Sequence, residues 1–532
     1  MTSAADYDVA IIGMGPVGAT LANLLGVRGI RTLAIDRDVD VHPRPRAVVL
    51  DHEAMRTFQY LDLADRVLPH TAIFDRSIYY GLDGRIIKKL ITEAPPYALG
   101  WCPNYLFSQP AVDQLLRDGA SERVSVEVRL GLEVTDVAQD ADAVTLTVRS
   151  PPGASQGSTE HIRARYVVAC DGGSSPMRRR LGIGFDDLDF DEPWLVVDAI
   201  VDLHHLPNLP KTNVQYCEPA RPSTHVIGPG QHRRWELMLL PGETPEQMNQ
   251  EAQIWKVLSR WISPSNAKLW RSSTYRFHAL VAKQWHLGRI ILAGDAAHMT
   301  PPFLGQGMCQ GLRDTTNLAW KLDLILRGDA PAETLLNSYR DERAPHVRGT
   351  TQAAKDLGRI ICERDPAKAA IRDAALLSSP DGVERVRQTF IPDLAGGILS
   401  RRDTSSAVGT LFPQPRVRTA NGEALLDDVT GTGFRLVSRS VDISSFADDP
   451  HAKRLGVKLA SIGPTAPAGV ISIDESDEIL HDWLDRHHAA VVLVRPDHYV
   501  FGTGQTAADA SALIDELTAV LFAPQPAPPP NK

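Results

Sequence analysis

An α/β fold interrupted by an inserted antiparallel sheet, with a separate unit at its C-terminal end, is what this 532-residue sequence predicts. Three observations carry that reading. The chain opens with a β-branched run, a glycine-rich turn and a helical run. Between about residues 184 and 285 it changes to long strand-like runs separated by proline-rich loops, and after about residue 400 short strand-like runs resume. The length exceeds one ordinary domain, and 43% hydrophobic with 23% charged residues excludes a fibrous or wholly disordered class.

Asp8 to Ile12 reads as a strand, Gly13-Met14-Gly15-Pro16-Val17-Gly18 as a tight turn, and Thr20, Leu21, Leu24 and Leu25 stand at helical spacing before a second strand, Arg31 to Asp36. This is a βαβ unit of the size of a Rossmann-like mononucleotide-binding half. Val9 to Val27 is apolar enough to imitate a membrane span. Asp6 and Asp8 stand where a signal peptide carries positive charge, however, and Gly13, Gly15, Pro16, Gly18 and Asn23 interrupt the run, so it reads as strand and helix.

Leu50 to Leu68 has helical spacing at Met55, Phe58 and Leu61 and is expected to cover the sheet. Ala111 to Ala120 reads as a helix, Val124 to Val148 as a small meander, Pro151 to Ser158 as a turn-rich loop, and Tyr166 to Cys170 as a buried strand. RRWELMLLPG and STYRFHALVAKQW are the long strands of the insertion. Gly288 to Ala293 is a further strand, followed by a long helix from Gly307 to Arg327 that Gly328 and Pro331 stop. The C-terminal unit holds FRLVS, AAVVLVR and HYVFG and a last helix, Ala507 to Leu521, before a proline-rich tail that cannot form a core. The expected division is 1–184 (with 73–110 lent to the inserted sheet), 185–285, 286–400, 401–522 and a disordered tail, 523–532.

A net charge of −9 and an isoelectric point near 6.0 give no global attraction to nucleic acid or to an anionic membrane. The five cysteines lack CxxC spacing, which suggests neither a metal site nor a disulfide framework and fits a reducing cytoplasm.

Three motifs carry chemistry. In the first, Gly13, Gly15 and Gly18 permit a tight turn and close backbone approach to a pyrophosphate at a helix N-terminus. Pro16 and Val17 open that helix, and Asp36, followed by Arg37, ends the next strand where an acid can hold ribose hydroxyls. The motif indicates a dinucleotide without saying which. The second is Ala293-Gly294-Asp295-Ala296-Ala297-His298, continuing through Pro301-Pro302 to Gly305-Gln306-Gly307-Met308-Cys309. A strand delivers Asp295 to a sheet edge as a hydrogen-bond acceptor, and amides at a helix start can stabilise an anionic ring. The third, Asp171-Gly172-Gly173-Ser174-Ser175-Pro176-Met177-Arg178, is by itself a turn signature.

GxGxxG, DGxxSxxR and GDAAHxxPPxxGxGM in this order resemble the three fingerprints of the single-component FAD-dependent aromatic hydroxylases (class A), related to 4-hydroxybenzoate and phenol hydroxylases. Pro45 to Gln59, Val214 to Val226, His232 to Glu243 and Pro301 to Leu322 are most similar to the 3-(3-hydroxyphenyl)propionate/3-hydroxycinnamate hydroxylases within that family. The resemblance implies a Rossmann-like FAD-binding domain, an antiparallel-sheet substrate domain and a C-terminal thioredoxin-like domain. It implies noncovalent FAD, NADH or NADPH as electron donor, O2 and a phenolic substrate, and ortho-hydroxylation of a 3-hydroxyphenyl acid, with a polyketide or antibiotic tailoring hydroxylase as the alternative. A non-oxygenating flavin oxidoreductase would share the FAD motifs.

Residue by residue, the resemblance makes Gly13, Gly15 and Gly18 the pyrophosphate turn and Asp36 the ribose acid. Arg46 and Gln109 become polar groups holding FAD near the active-site mouth, Asp295 the ribityl ligand, and Met308 and Cys309 amide donors to the flavin. Asp171 and Arg178 become groups serving both FAD and nicotinamide, and Pro302 the residue whose carbonyl faces the phenol. His298 is as open to a core or exposed role as to a catalytic one. Arg221, His225, Arg233 and Arg234 are candidates for a substrate carboxylate, with solvated surface charge the plainer reading of each. No cysteine follows Cys362, so the C-terminal unit cannot perform dithiol exchange; a structural role or support of a homodimer is expected.

Overall fold

The computed structural model describes residues 5–150, 159–380 and 382–522; the expected loop at 151–158 and the tail at 523–532 lie outside them. Its first sheet is built on parallel strands in the order Ile290–Leu292, Thr159–Ala169, Tyr7–Ile12, Thr32–Asp36 and Val126–Leu130. Val9, Ala10, Ile11, Leu33 and Ala34 are wholly buried on both faces, as strands of a parallel sheet must be. Val126–Leu130 was expected in a meander; it joins the parallel sheet instead, and the meander consists of Glu133–Gln139 and Val144–Arg149 paired onto Thr159–Ala169. Periodicity alone does not distinguish the two pairings, because alternation is the same in both.

The helix Pro16–Val27 crosses the long helix Gly307–Leu326 where Val17 meets Gly294 and Gly311. A Cβ at Gly311 would lie 2.5 Å from Val17 Cγ2, so the close approach of the two helix starts depends on the missing side chain.

The second sheet has nine strands, with Phe185–Val201 and Ala267–Ala282 as its long central pair and His232–Met238 beside them. It is mixed rather than purely antiparallel: Asn213–Tyr216 pairs in parallel with Arg76–Tyr80, and Glu384–Val386 with Ile86–Ile91. The segment 73–110 lends Arg76–Tyr80 and Ile86–Ile91 to this sheet, and the 286–400 segment lends His298–Met299 and Glu384–Val386.

The C-terminal unit has five strands in the order Ile471–Ile473, Lys458–Ile462, Arg435–Ser438, Val491–Val494 and Val500–Gly504, parallel for the first three and antiparallel for the last two pairings. With the helices Pro450–Leu455, Ile479–Arg486 and Ala507–Phe522, this is a thioredoxin-like arrangement. A buried ionic cluster joins it to the rest: Arg495 donates to Glu342 (2.7 Å) and Asp497 (2.6 Å), and Lys321 donates to Glu342 (2.9 Å). Arg56 binds Asp427 through two donors at 2.6 and 2.9 Å.

Candidate active site between the two large sheets

The glycine-rich turn is shaped by three separate steric demands. Gly13 holds φ +98°, and a Cβ there would meet the Cys170 carbonyl at 2.5 Å; at Gly18 a Cβ would lie 1.9 Å from the Gly13 carbonyl. A Cβ at Gly15 would meet nothing within 4 Å, because this position faces open space. Arg117 fixes the turn by donating to the Met14 carbonyl (2.9 Å) and to Asp36 (3.3 Å). The Asp36 carboxylate also accepts from the Met14 amide at 2.6 Å, so the acid expected at the ribose helps to hold the loop as well. Arg37 beside it is exposed.

Asp295 lies in the second motif with its side chain accessible from the cleft and no hydrogen-bond partner among the described residues. The protein packed around it raises its carboxyl pKa, while the charges of His298 and Arg46 oppose that. His298 is wholly buried, stacked on Trp285, and binds Asp314 at 2.7 Å, which makes it a core histidine. Asp314 also accepts from the Gly294 amide (2.9 Å) and from Arg343 (2.9 Å), so it ties the loop to the long helix. The helix starts at Gly307 without a side-chain cap, because the Gln306 amide oxygen is taken by Arg313 at 2.8 Å. Its first-turn amides, those of Met308 and Cys309 among them, have no intrahelical acceptor. The Cys309 thiol itself is buried against the Val49 carbonyl, and burial pushes its pKa well up.

Ser175 caps the short helix Pro176–Arg180 by accepting from the Arg178 amide (3.0 Å), and Asp171 holds the cap, accepting from the Ser175 hydroxyl (2.5 Å) and the Met177 amide (3.0 Å). Arg178 stacks on Phe185 and donates to the Gly173 and Ala296 carbonyls at 3.2 Å, bridging the third motif to the second. Both side chains are turned to protein partners; Gly172 is the part of this motif that reaches the cavity.

One cavity of about 410 Å³ runs between the two sheets. Its first wall carries Gly15, Pro16, Val17, Arg46, Gln109, Asp295, Gly305, Gly307 and Met308. Gln109 accepts from the Arg46 and Ala47 amides, each at 2.7 Å, and so shapes the turn at the mouth. Gly13, Gly18, Asp36, Arg37, Asp171, Arg178, Gly294 and Cys309 support or flank this wall without lining it. Pro302 stands at the junction with the second wall; its carbonyl accepts from the Gly305 amide at 2.7 Å, which leaves one lone pair. The second wall is apolar where Phe277, Phe303, Val196 and Val226 meet, and polar at Ser77, Asn213, Gln215 and Arg387.

Of the expected substrate-side cations, none is solvated surface charge. Arg221 pairs with Glu243, His225 is buried against Trp235, and Arg233 donates to local carbonyls. Arg234 alone lines the cavity, paired with Asp198 at 2.8 Å and donating to the Pro45 and Arg46 carbonyls. Asp198 also receives His232 at 2.7 Å and Arg271 at 3.5 Å, so one buried carboxylate serves all three groups. Burial raises the carboxyl of Glu236 nearby, with Arg234 opposing. Asp314, Arg313, Arg117 and Arg387 escaped the sequence reading because each sits among other polar residues of a helix or loop, and its partners are distant in the chain. The adjacent Arg313 and Asp314 within GLRDTTN read as an ordinary polar stretch of a helix.

A dinucleotide fits the first wall on three counts: open space at Gly15, two uncapped helix N-termini at Pro16 and Gly307, and a carboxylate at Asp295 without a hydrogen-bond partner among the described residues. Comparison with known families matches "FAD binding domain" over residues 6–354 and "HcaD C-terminal domain" over 409–520. A protein of Rhodococcus jostii named a probable NADH-specific resorcinol 4-hydroxylase is 36% identical, covering 98% of this chain and 96% of its own. A 3-(3-hydroxy-phenyl)propionate/3-hydroxycinnamic acid hydroxylase of Mycolicibacterium gilvum is also 36% identical, over 94% of this chain and 89% of its own. In fold, the chain is similar to aklavinone-11 hydroxylase, solved with FAD and aklavinone, at a TM-score of 0.77 and 22% identity, covering 98% of this chain and all of that one. With the FAD-binding and C-terminal family models both matched and relatives 36% identical over nearly the whole chain, the chain belongs to the FAD-dependent aromatic hydroxylases.

Proposed function

We propose that this chain hydroxylates a small single-ring phenol ortho to its hydroxyl, with a 3-hydroxyphenyl acid such as 3-(3-hydroxyphenyl)propionate or 3-hydroxycinnamate as substrate and NADH as donor. The observation that carries the reading is the position of Pro302, where the cofactor wall meets an apolar wall of phenylalanines that ends in polar groups. Phe277 and Phe303 stand edge to face at 6.1 Å, with Trp194 behind both, a rigid surface for one aromatic ring. FAD bound along the first wall would supply activation of O2 and oxygen transfer once reduced by the nicotinamide cofactor.

The protein's own part is placement and exclusion of water. The free lone pair of the Pro302 carbonyl is available to a phenol hydroxyl, and amides at the start of Gly307–Leu326 favour negative charge beside it. Asp36, Arg46, Gln109 and Asp295 are assigned to the cofactor, Asp171 and Arg178 to the frame that joins its loops. The donor NADH is supported by the Rhodococcus relative's name. That relative also favours a second reading, resorcinol, whose second hydroxyl takes the meta position that the acid chain occupies in a 3-hydroxyphenyl acid.

All five cysteines are free thiols, and no helix among the described residues is long and apolar enough to cross a membrane. The test is purified holoenzyme with NADH and O2, offered 3-(3-hydroxyphenyl)propionate, resorcinol and a polycyclic phenol, scoring catechol product against NADH consumed. Faster coupled turnover of the acid is expected. Product only from resorcinol would replace the substrate, and product only from the polycyclic phenol would favour a tailoring role.

A further inference from the structure

Arg387 is the first residue of a short 3-10 turn that follows the edge strand Glu384–Val386, and that strand's pairing with Ile86–Ile91 delivers the side chain to the substrate wall. The residue is 4% exposed. One guanidinium nitrogen donates to the Leu304 carbonyl, and the group lies 4.8 Å above the Phe74 ring. Its Nε is buried without an acceptor, and among the described residues it has no carboxylate partner. The other buried arginines of the substrate wall, Arg234 and Arg271, each reach a carboxylate, Asp198, at 2.8 and 3.5 Å. Taking a guanidinium out of water without a counter-charge is costly, so an anion supplied from the cavity is what balances it. The surroundings fit a carboxylate at the end of an apolar chain, with Phe74 below and Ser77 lining the same cavity.

We propose that Arg387 is the residue that binds the acid group of the substrate, fixing which ring carbon is presented at Pro302; this rests on the reading of the cavity given under Proposed function. Planar guanidinium and carboxylate pair through two parallel hydrogen bonds, which sets orientation as well as affinity. The same contact to Leu304 couples the anion site to the Pro302–Gly305 loop, so substrate charge is sensed where the phenol is held.

The test titrates holoenzyme with 3-phenylpropionate and with its neutral amide, following the visible flavin absorbance, for wild type, Arg387→Met and Arg387→Lys. Neither ligand carries a phenol, so binding is read apart from hydroxylation. Wild type is expected to prefer the acid by roughly 10- to 100-fold, the span of a charge-assisted hydrogen bond. Arg387→Met should lose that preference while keeping its flavin, and Arg387→Lys should restore part of it. Equal binding of acid and amide by wild type, no binding of either, an undiminished preference in Arg387→Met, or release of flavin from that variant would each overturn the assignment. An acid preference that depends on Arg387, with no 3-hydroxyphenyl acid hydroxylated, would leave the anion site standing and overturn the substrate reading alone.

Discussion

Gly15 and Gly18 are separated by two residues and serve unrelated purposes. The Gly15 backbone, at φ −69° and ψ −177°, is one that alanine adopts, and a methyl there meets only the cleft. A methyl at Gly18 meets the Gly13 carbonyl at 1.9 Å and must displace the helix. Gly15→Ala is therefore expected to keep its thermal midpoint and to weaken FAD binding at least tenfold, about 1.4 kcal/mol. Gly18→Ala should lower the midpoint as well as the affinity. Differential scanning fluorimetry with and without added FAD checks both, and an unchanged FAD affinity in Gly15→Ala would remove that wall from the cofactor site. The motif was legible because its demands are local, whereas Asp36 was read only as a ribose acid although it also accepts from Met14 and Arg117.

The long helix Gly307–Leu326 is an element whose two ends do different work. Its first turn offers free amides to the cleft, and one turn further on Arg313 and Asp314 lock its start to the rest of the molecule. Arg313 reaches Asp51 at 2.5 Å and Glu53 at 2.7 Å, while Asp314 holds Gly294, His298 and Arg343. Burial alone would raise the Asp314 carboxyl, but His298 and Arg343 outweigh it and hold the pKa down. Asp314→Ala leaves a buried arginine and histidine unpaired, so a loss of about 3–5 kcal/mol is expected, measured by urea denaturation. Flavin retention should fall with it, because Asp295 is carried on the loop that Asp314 ties down. A variant as stable as wild type would show that the loop is held by backbone alone.

At the scale of the whole molecule, the C-terminal unit is bolted to the FAD domain through charges that have no access to water. Glu342, Lys321 and Arg495 are each 0% exposed in their side chains. Burial would raise the Glu342 carboxyl, yet Arg495 and Lys321 bring it down from 4.5 to about 2. A depressed acid contributes stability that is complete above its unfolded pKa of 4.5 and is lost as pH falls from there toward 2. Cooperative acid unfolding that begins below about pH 4.5 is the expected outcome. Glu342→Gln should flatten this part of the profile and cost about 3–5 kcal/mol at neutral pH. Denaturation midpoints measured between pH 3 and 7 check both signs; a variant with the wild-type acid profile would place the acid-labile step elsewhere.

The βαβ start, the strand that carries Asp295, the long helix after Gly307 and the cysteine-free last unit were determined by the sequence itself. Each depends on neighbours within one turn or one strand: hydrophobic period, glycine where a Cβ cannot fit, amides left free at a helix start. Pairing partners were decided by tertiary structure, since the alternation of Val126–Leu130 suits a meander and a parallel sheet equally. The substrate wall was decided there too. Arg234 looked like surface charge until Asp198, 36 residues away in the chain, took it inside, and Arg387 showed nothing in its own segment. Whether a charged side chain is buried, paired or left open to a ligand depends on groups distant in sequence that only the folded chain brings to within hydrogen-bond reach.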